Sequence, residues 1–311
     1  MSKRSAYSVE KVSRMTTQES PMKIKALAPW FGAKRNLAPR IVQMLGPHSV
    51  YWEPFCGSMA VLLSKPSCRM ETVNDLHGDL INLARVIQDD KLAPQLYDRL
   101  HRTLMCESLY EDAAKRYSVR GYSTETNGAD LERAYEWFCC IWQGISGLAG
   151  TRDARLGLAL RFTSKGGHAA TRWAASVDSI PAWHERLRKV VIVNQDAFEW
   201  LERIEDERHS VIYVDPPYFD KGAKYIHDFV SEDHERLAKL LYRFKKARVV
   251  LSYYDHPKLQ ELYPDWYQEK IEISKALSHQ GRRGQNDVRA VEVLLCNQPI
   301  EARQGQKALW E

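Results

Sequence analysis

Apolar positions in this chain gather in short runs, and many of the stretches between them carry helical spacing. Short β-favouring runs occupy 50–53, 72–75, 190–193, 211–214 and 247–254. The run 211–214 is long enough for a buried strand and too short to read as a helix. Two later runs, 266–273 and 288–296, read as a closing antiparallel pair. Helices are expected at 36–45 and in the Ala-, Val- and Leu-rich segment after Gly57. Another is marked by Leu80, Leu83, Ala84 and Ile87 at i, i+3, i+4 and i+7, and a further one spans 231–245, capped by Ser231 with acids in its first turn. Strands alternating with helices predict an α/β fold with a doubly wound sheet.

The stretch 91–183 is too long for one crossover and reads as an inserted lobe. Its first half is helical and aromatic, and Tyr135, Trp137, Phe138 and Trp142 are expected in its own core. Its second half is rich in Gly and Arg. Residues 152–172 hold five basic side chains, Arg152, Arg155, Arg161, Lys165 and Arg172, against the single acid Asp153. Such a segment suits phosphate and base-edge contacts, and a solvated loop is the plain alternative. A second polar stretch, 275–289, carries Arg282 and Arg283. The expected organisation is a basic tail at 1–25, a sheet domain at 26–90 and 186–300, the lobe at 91–185, and a short tail at 301–311.

Four of the strands finish at acids: Glu53, Asp75, Asp196 and Asp215. In a doubly wound sheet these ends share one edge, where ligands bind. One such acid is more often a helix N-cap than a ligand, but four of them beside a glycine turn at Gly57 favour a site. Asp75 follows Gly57 by eighteen residues, the placement of an acid that accepts ribose hydroxyl groups. Upstream, Trp30-Phe31-Gly32-Ala33-Lys34 is a tight turn in which Gly32 permits close backbone approach and Lys34 could hold a carboxylate.

The strand 211–214 runs directly into Asp215-Pro216-Pro217-Tyr218. Neither proline can extend a hydrogen-bonded ladder, so the strand must stop there on a stiff backbone. Asp215 and the Pro216 carbonyl are acceptors suited to the two hydrogens of an exocyclic amine, and Tyr218 offers a face for a planar base. Gripping those hydrogens would free the nitrogen lone pair for attack. Asp-Pro-Pro alone fits a plain strand exit equally well; the tyrosine tilts the reading toward chemistry.

Composition narrows the picture further. The chain has 311 residues, 44% of them apolar, and a net charge of +5, which weakly suits a polyanionic partner. Its six cysteines form no C-x-x-C pair, and no histidine cluster has zinc spacing, so reduced thiols in a cytoplasmic protein without metal are expected. No leader-like apolar segment opens the chain, and no apolar run approaches the roughly 18 residues of a membrane span.

Taken together, these pieces resemble the Dam-type (D12 class) adenine-N6 DNA methyltransferases from about residue 27 to residue 297. The inserted lobe matches in position rather than in motif. Trp30, Gly32 and Lys34 stand where that family has W-x-G-x-K, whose Trp and Lys contact S-adenosylmethionine. Glu53-Pro54-Phe55-Cys56-Gly57 matches its E-P-F-x-G methionine-binding turn, and Asn74-Asp75-Leu76 its ribose-holding step. Asp196 with Phe198 resembles the acid and aromatic that bind the cofactor's adenine. Asp215-Pro216-Pro217-Tyr218 is similar to the catalytic D-P-P-Y, and Tyr225, Phe229 and Asp233-His234 fit the spacing downstream. Where the family commonly has a second glycine, this chain has Met59, which is expected to narrow the methionine end of the pocket.

The resemblance implies a Rossmann-like methyltransferase sheet, S-adenosylmethionine as cofactor and no metal. It further implies a flipped-out adenine in double-stranded DNA as target and the insertion as target-recognition lobe. A monomer is expected, with a cognate restriction endonuclease acting separately if the biology is restriction–modification. Methylation of RNA or of cytosine N4, and an inactive DNA-binding module, are the alternatives.

Overall fold

The computed structural model describes residues 22–122, 128–145, 157–160, 167–219, 229–274 and 289–300. The strands are β1 (Val50–Glu53), β2 (Met70–Asn74), β3 (Val191–Val193), β4 (Ser210–Val214), β5 (Arg248–Tyr254), β6 (Tyr267–Ser274) and β7 (Arg289–Cys296). They form one sheet in the order β3-β2-β1-β4-β5-β7-β6. The first five strands are parallel, and β7 runs antiparallel between β5 and β6. The order reverses between β1 and β4, so this is the doubly wound, Rossmann-like sheet that the strand pattern predicts.

Strand β4 shows why both faces must be covered. Val211 and Tyr213 pack into one apolar cluster, while Ile212 and Val214 pack into another. Successive side chains point to opposite faces, so an unbroken apolar run requires helices on both. Helices α1 (Ala38–Leu45) and α2 (Gly78–Gln88) cover the first face. The second is covered by α8 (Ala197–Arg203), α9 (Ser231–Leu241) and α10 (Lys258–Leu262).

Five helices stand between α2 and β3: α3 (Leu92–Arg102), α4 (Glu107–Arg120), α5 (Leu131–Gln143), α6 (Ala169–Val177) and α7 (Ile180–Leu187). Their aromatics Trp137, Phe138, Trp142 and Trp183 are buried, in the same cluster as the sheet face. The described part of the insertion therefore shares its main core with the sheet. Polar links reinforce the seam: Asn82 Nδ2 donates to Asp130 O at 2.9 Å, and Trp142 Nε1 donates to Leu27 O at 3.1 Å.

Three local expectations need correction. Residues 60–64 form successive turns rather than a helix, with Leu63 N–H on Met59 O and Lys65 N–H on Val61 O. Ser231 is not the cap of α9; the Asp233 carboxylate accepts the Val230 N–H at 2.8 Å, and the Ser231 hydroxyl accepts Lys258 Nζ at 2.6 Å. That helix ends at Leu241, not at 245.

Candidate active site

The parallel strands end on one edge, and a cleft of about 240 Å³ opens there. All of Trp30, Gly32, Lys34, Glu53, Pro54, Phe55, Gly57, Asp75, Asp196 and Phe198 line it, together with Asp215 and Pro217. Residues scattered over about two hundred positions are thus brought to one surface by the sheet topology.

At the Gly57 end the backbone does most of the holding. Gly57 has φ of +45°, and a Cβ there would lie 3.0 Å from Trp30 Nε1, so only glycine fits without displacing the indole. Its N–H donates to Asp75 Oδ2 at 2.8 Å, and the His77 N–H donates to Asp75 Oδ1 at 2.9 Å. Burial raises the Asp75 pKa, and these backbone donors oppose the rise. Asp196 is the N-cap of α8, accepting the Phe198 and Glu199 N–H groups at 2.9 and 3.1 Å. The helix-cap role and the place in the cleft therefore coexist, because one carboxylate has more lone pairs than the cap uses.

Asn74, which the sequence reading treated only as part of a motif, ties this end together. Its Nδ2 donates to Pro54 O and Gln195 O, each at 3.0 Å, and its Oδ1 accepts the Gln195 N–H at 2.9 Å. One buried amide thus fixes the exits of three strands. The Phe198 ring stacks with Phe229 at 5.8 Å between centroids, and the Arg236 guanidinium lies 4.4 Å from the Phe198 ring. Arg236 also lines the cleft, and α9 presents no pattern that would have singled it out.

At the Asp215 end side chains hold one another. Lys34 Nζ lies 3.0 Å from Asp215 Oδ2 and donates to Gly32 O at 2.7 Å. Burial alone would lower the Lys34 pKa, but the Asp215 and Glu292 carboxylates outweigh it and the net shift is upward. Burial raises the Asp215 pKa, opposed chiefly by Lys34 and more weakly by the nearby Tyr218 and Ser252 hydroxyls. Asp215 Oδ1 is buried and makes no direct hydrogen bond to the described residues. Glu53 is buried too, accepting the Tyr51 hydroxyl at 2.8 Å, and burial pushes its pKa up to about 8.

Tyr218 sits differently from the expectation. It is 5% exposed and does not line the cleft; its hydroxyl donates to Glu292 Oε2 at 2.7 Å, and Lys34 Nζ stands 4.8 Å from its ring centroid. Pro216 is buried and does not line the cleft. Met59 does not narrow the pocket either. Its side chain is fully buried in the core cluster, and what it imposes is a backbone φ of +57°, in the left-handed region.

The basic residues are mostly not in view. Arg152, Arg155, Arg161, Lys165, Arg282, Arg283 and Tyr225 lie outside the described residues. Arg172 is half-buried and donates to the Trp142 carbonyl at 3.4 Å. Among the described residues, no helix is long and apolar enough to cross a membrane.

The sequence profile of the D12 class N6 adenine-specific DNA methyltransferases matches residues 30–280, most of the chain. The chain belongs to that family. The Type II methyltransferase M1.LlaDCHI of Lactococcus lactis subsp. cremoris is 24% identical over 297 residues, covering 90% of this chain and 98% of its own. The Type II methyltransferase M.CviBI of Paramecium bursaria Chlorella virus NC1A is 22% identical over 270 residues, covering 84% and 95%. The methyltransferase described here therefore acts on adenine N6 in DNA, which sets aside RNA and cytosine N4. Methyltransferases of this kind generally take their methyl group from S-adenosylmethionine.

Proposed function

We propose that the strand-end cleft carries out methyl transfer, with Asp215 as the group that receives the target amine. The observation behind this is Asp215 Oδ1, a buried carboxylate oxygen at the edge of the cleft that makes no direct hydrogen bond to the described residues. The cleft suits S-adenosylmethionine in its donor set: carboxylates at several strand ends, a glycine turn and the paired rings of Phe198 and Phe229. In this reading Asp75 receives the ribose hydroxyls, Asp196 and Phe198 the adenine, and Trp30, Gly32, Lys34, Glu53, Pro54, Phe55 and Gly57 the methionine part. When bound, the cofactor supplies an electrophilic methyl group on a sulfonium leaving group.

The protein's contribution is alignment. The target adenine leaves the base stack at a cost of about a few kcal/mol. Asp215 and the Pro216 carbonyl take its two amine hydrogens, and Tyr218 stacks on its ring once the face is uncovered. As the methyl–nitrogen bond forms, the amine proton would pass to Asp215 or to water. Asp215 need not be a strong base, because the nitrogen becomes acidic only as the methyl arrives.

The inserted helices with the basic segment 152–172, aided by Arg282 and Arg283, would recognise the duplex. Both relatives are named Type II methyltransferases, which supports a modification role beside a separately acting endonuclease; we take the chain to work as a monomer. The test is incubation of purified protein with labelled S-adenosylmethionine and unmethylated duplex DNA, then nucleoside digestion and mass spectrometry. N6-methyladenine at one mapped sequence is expected; no labelled adenine on any duplex would refute the reading.

A further inference from the structure

Glu292 lies on β7 in a run of apolar residues, and no motif marks it. It is 3% exposed, opposite Tyr254 across the β5–β7 ladder, whose ring stands edge-on to Tyr218 at 4.6 Å. Its Oε2 accepts the Tyr218 hydroxyl at 2.7 Å, and its Oε1 lies 4.0 Å from Lys34 Nζ. A buried carboxylate is costly unless it is paired, and Tyr218 and Lys34, two of the groups that Glu292 meets, belong to the proposed base seat. Lys34 is the pivot. Its ammonium stands 3.0 Å from the Asp215 carboxylate and 4.8 Å from the Tyr218 ring centroid. It therefore occupies the position between acid and ring that the target base needs.

We propose that Glu292 is a positioning residue for methyl transfer, fixing Tyr218 through its hydroxyl and giving Lys34 a second carboxylate so that Lys34 yields Asp215 to the target amine. The proposal rests on the reading of Asp215 and Tyr218 given above. Its physical basis is a competition. A neutral amine cannot displace an ammonium from a buried carboxylate unless that positive charge is balanced elsewhere. Glu292, within 4.0 Å of Lys34 already, supplies the balance. Glutamine at this position would still accept the Tyr218 hydroxyl but would carry no charge, leaving Lys34 on Asp215.

The experiment uses the full chain and the DNA site mapped for the wild-type enzyme. Glu292→Gln is expected to keep the wild-type melting temperature and cofactor dissociation constant. Its single-turnover methylation rate should fall about 10- to 100-fold, the scale of one lost charge-assisted interaction. Duplex carrying 2-aminopurine at the target position should also show a smaller fluorescence rise on binding the variant, a readout independent of turnover. In a Lys34→Met background, with rates taken at saturating cofactor because Lys34 also lines the methionine end, the same substitution should cost nothing further, since the competing cation is gone. A Glu292→Gln rate within about twofold of wild type, or a fully additive loss with Lys34→Met, overturns the proposal. Should Glu292→Gln fail to fold, Tyr218→Phe cuts the hydroxyl link alone, and an unchanged rate for it overturns the proposal equally. Failure of the parent reading is distinguishable, since it is seen as absent N6-methyladenine with the wild-type enzyme.

Discussion

The two ends of the cleft use the same element, a carboxylate at a strand exit, and differ in what holds it. At the Gly57 end, Asp75 and Asp196 are gripped by backbone N–H groups of Gly57, His77, Phe198 and Glu199. Those donors cannot move unless a turn or a helix end moves with them. At the Asp215 end, Asp215 and Glu292 are held by side chains, Lys34 and Tyr218, which can rotate. The first end is therefore preorganised and the second adjustable, which under the proposed function suits a constant cofactor at one and a base admitted from DNA at the other. The carboxylate is the same; its neighbours decide whether it is scaffold or machinery.

The largest effect expected from this contrast is at the adjustable end. Asp215→Ala should lower methylation by about 10²–10⁴-fold or more, the range for a positioned proton-handling group. Cofactor binding should stay near normal, because that end contributes no backbone-held contact. Parallel measurement of single-turnover rate and cofactor dissociation constant checks it, and near-wild-type turnover would refute the role. At the preorganised end the split should invert. Asp75→Ala removes two carboxylate–backbone bonds, so the cofactor dissociation constant should rise about 10- to 100-fold, from the usual 1.5–3 kcal/mol of a charged hydrogen bond. An unchanged constant by calorimetry would remove Asp75 from the cofactor site.

Between the two ends sits Glu53, and its effect is a matter of pH. Burial holds its folded-state pKa at about 8, above the ordinary carboxylate value of 4.5. The folded protein then binds more protons than the unfolded chain between those limits, so stability falls as pH rises from about 4.5 to about 8. His48 acts in the opposite sense. Burial lowers its pKa to about 4, so it adds stability as pH rises from about 4 toward its ordinary 6.5. The difference between wild type and Glu53→Gln isolates Glu53. Denaturant melts across this range should show wild type losing ground to the variant as pH increases, and parallel curves would mean that Glu53 is ionised throughout.

The contrast also explains what could be read from the chain beforehand. Strand positions and the cleft-lining acids were legible because both rest on local pattern: apolar runs end where Glu53, Asp75, Asp196 and Asp215 stand. Backbone-held groups announce themselves through glycines and caps. Glu292, Arg236 and the pairing of Lys34 with Asp215 were not legible, since each depends on elements far apart in sequence meeting in space. Tyr218 was singled out by its motif, but its burial against Glu292 and Lys34 is a tertiary fact. The turns at 60–64 misled for a related reason: good helix formers follow Gly57, yet Met59 adopts a left-handed conformation at the entry.

That residue supports the smallest and most specific test. Its left-handed backbone costs a non-glycine residue about 1–2 kcal/mol, while its fully buried side chain repays this by packing in the core. Met59→Ala should destabilise by about 2–5 kcal/mol, because the cavity remains and the strain stays. Met59→Gly empties one carbon more, about 0.8 kcal/mol of burial, but relieves the strain, and the extra freedom of glycine in the unfolded chain takes back about 0.4–1 kcal/mol. The two variants should thus lie within about 1 kcal/mol of each other, cancelling the usual advantage of alanine over glycine. Denaturant unfolding of the pair decides it. An alanine variant ahead by more than about 1 kcal/mol would mean the turn after Gly57 is unstrained, and that Met59 is held by packing alone.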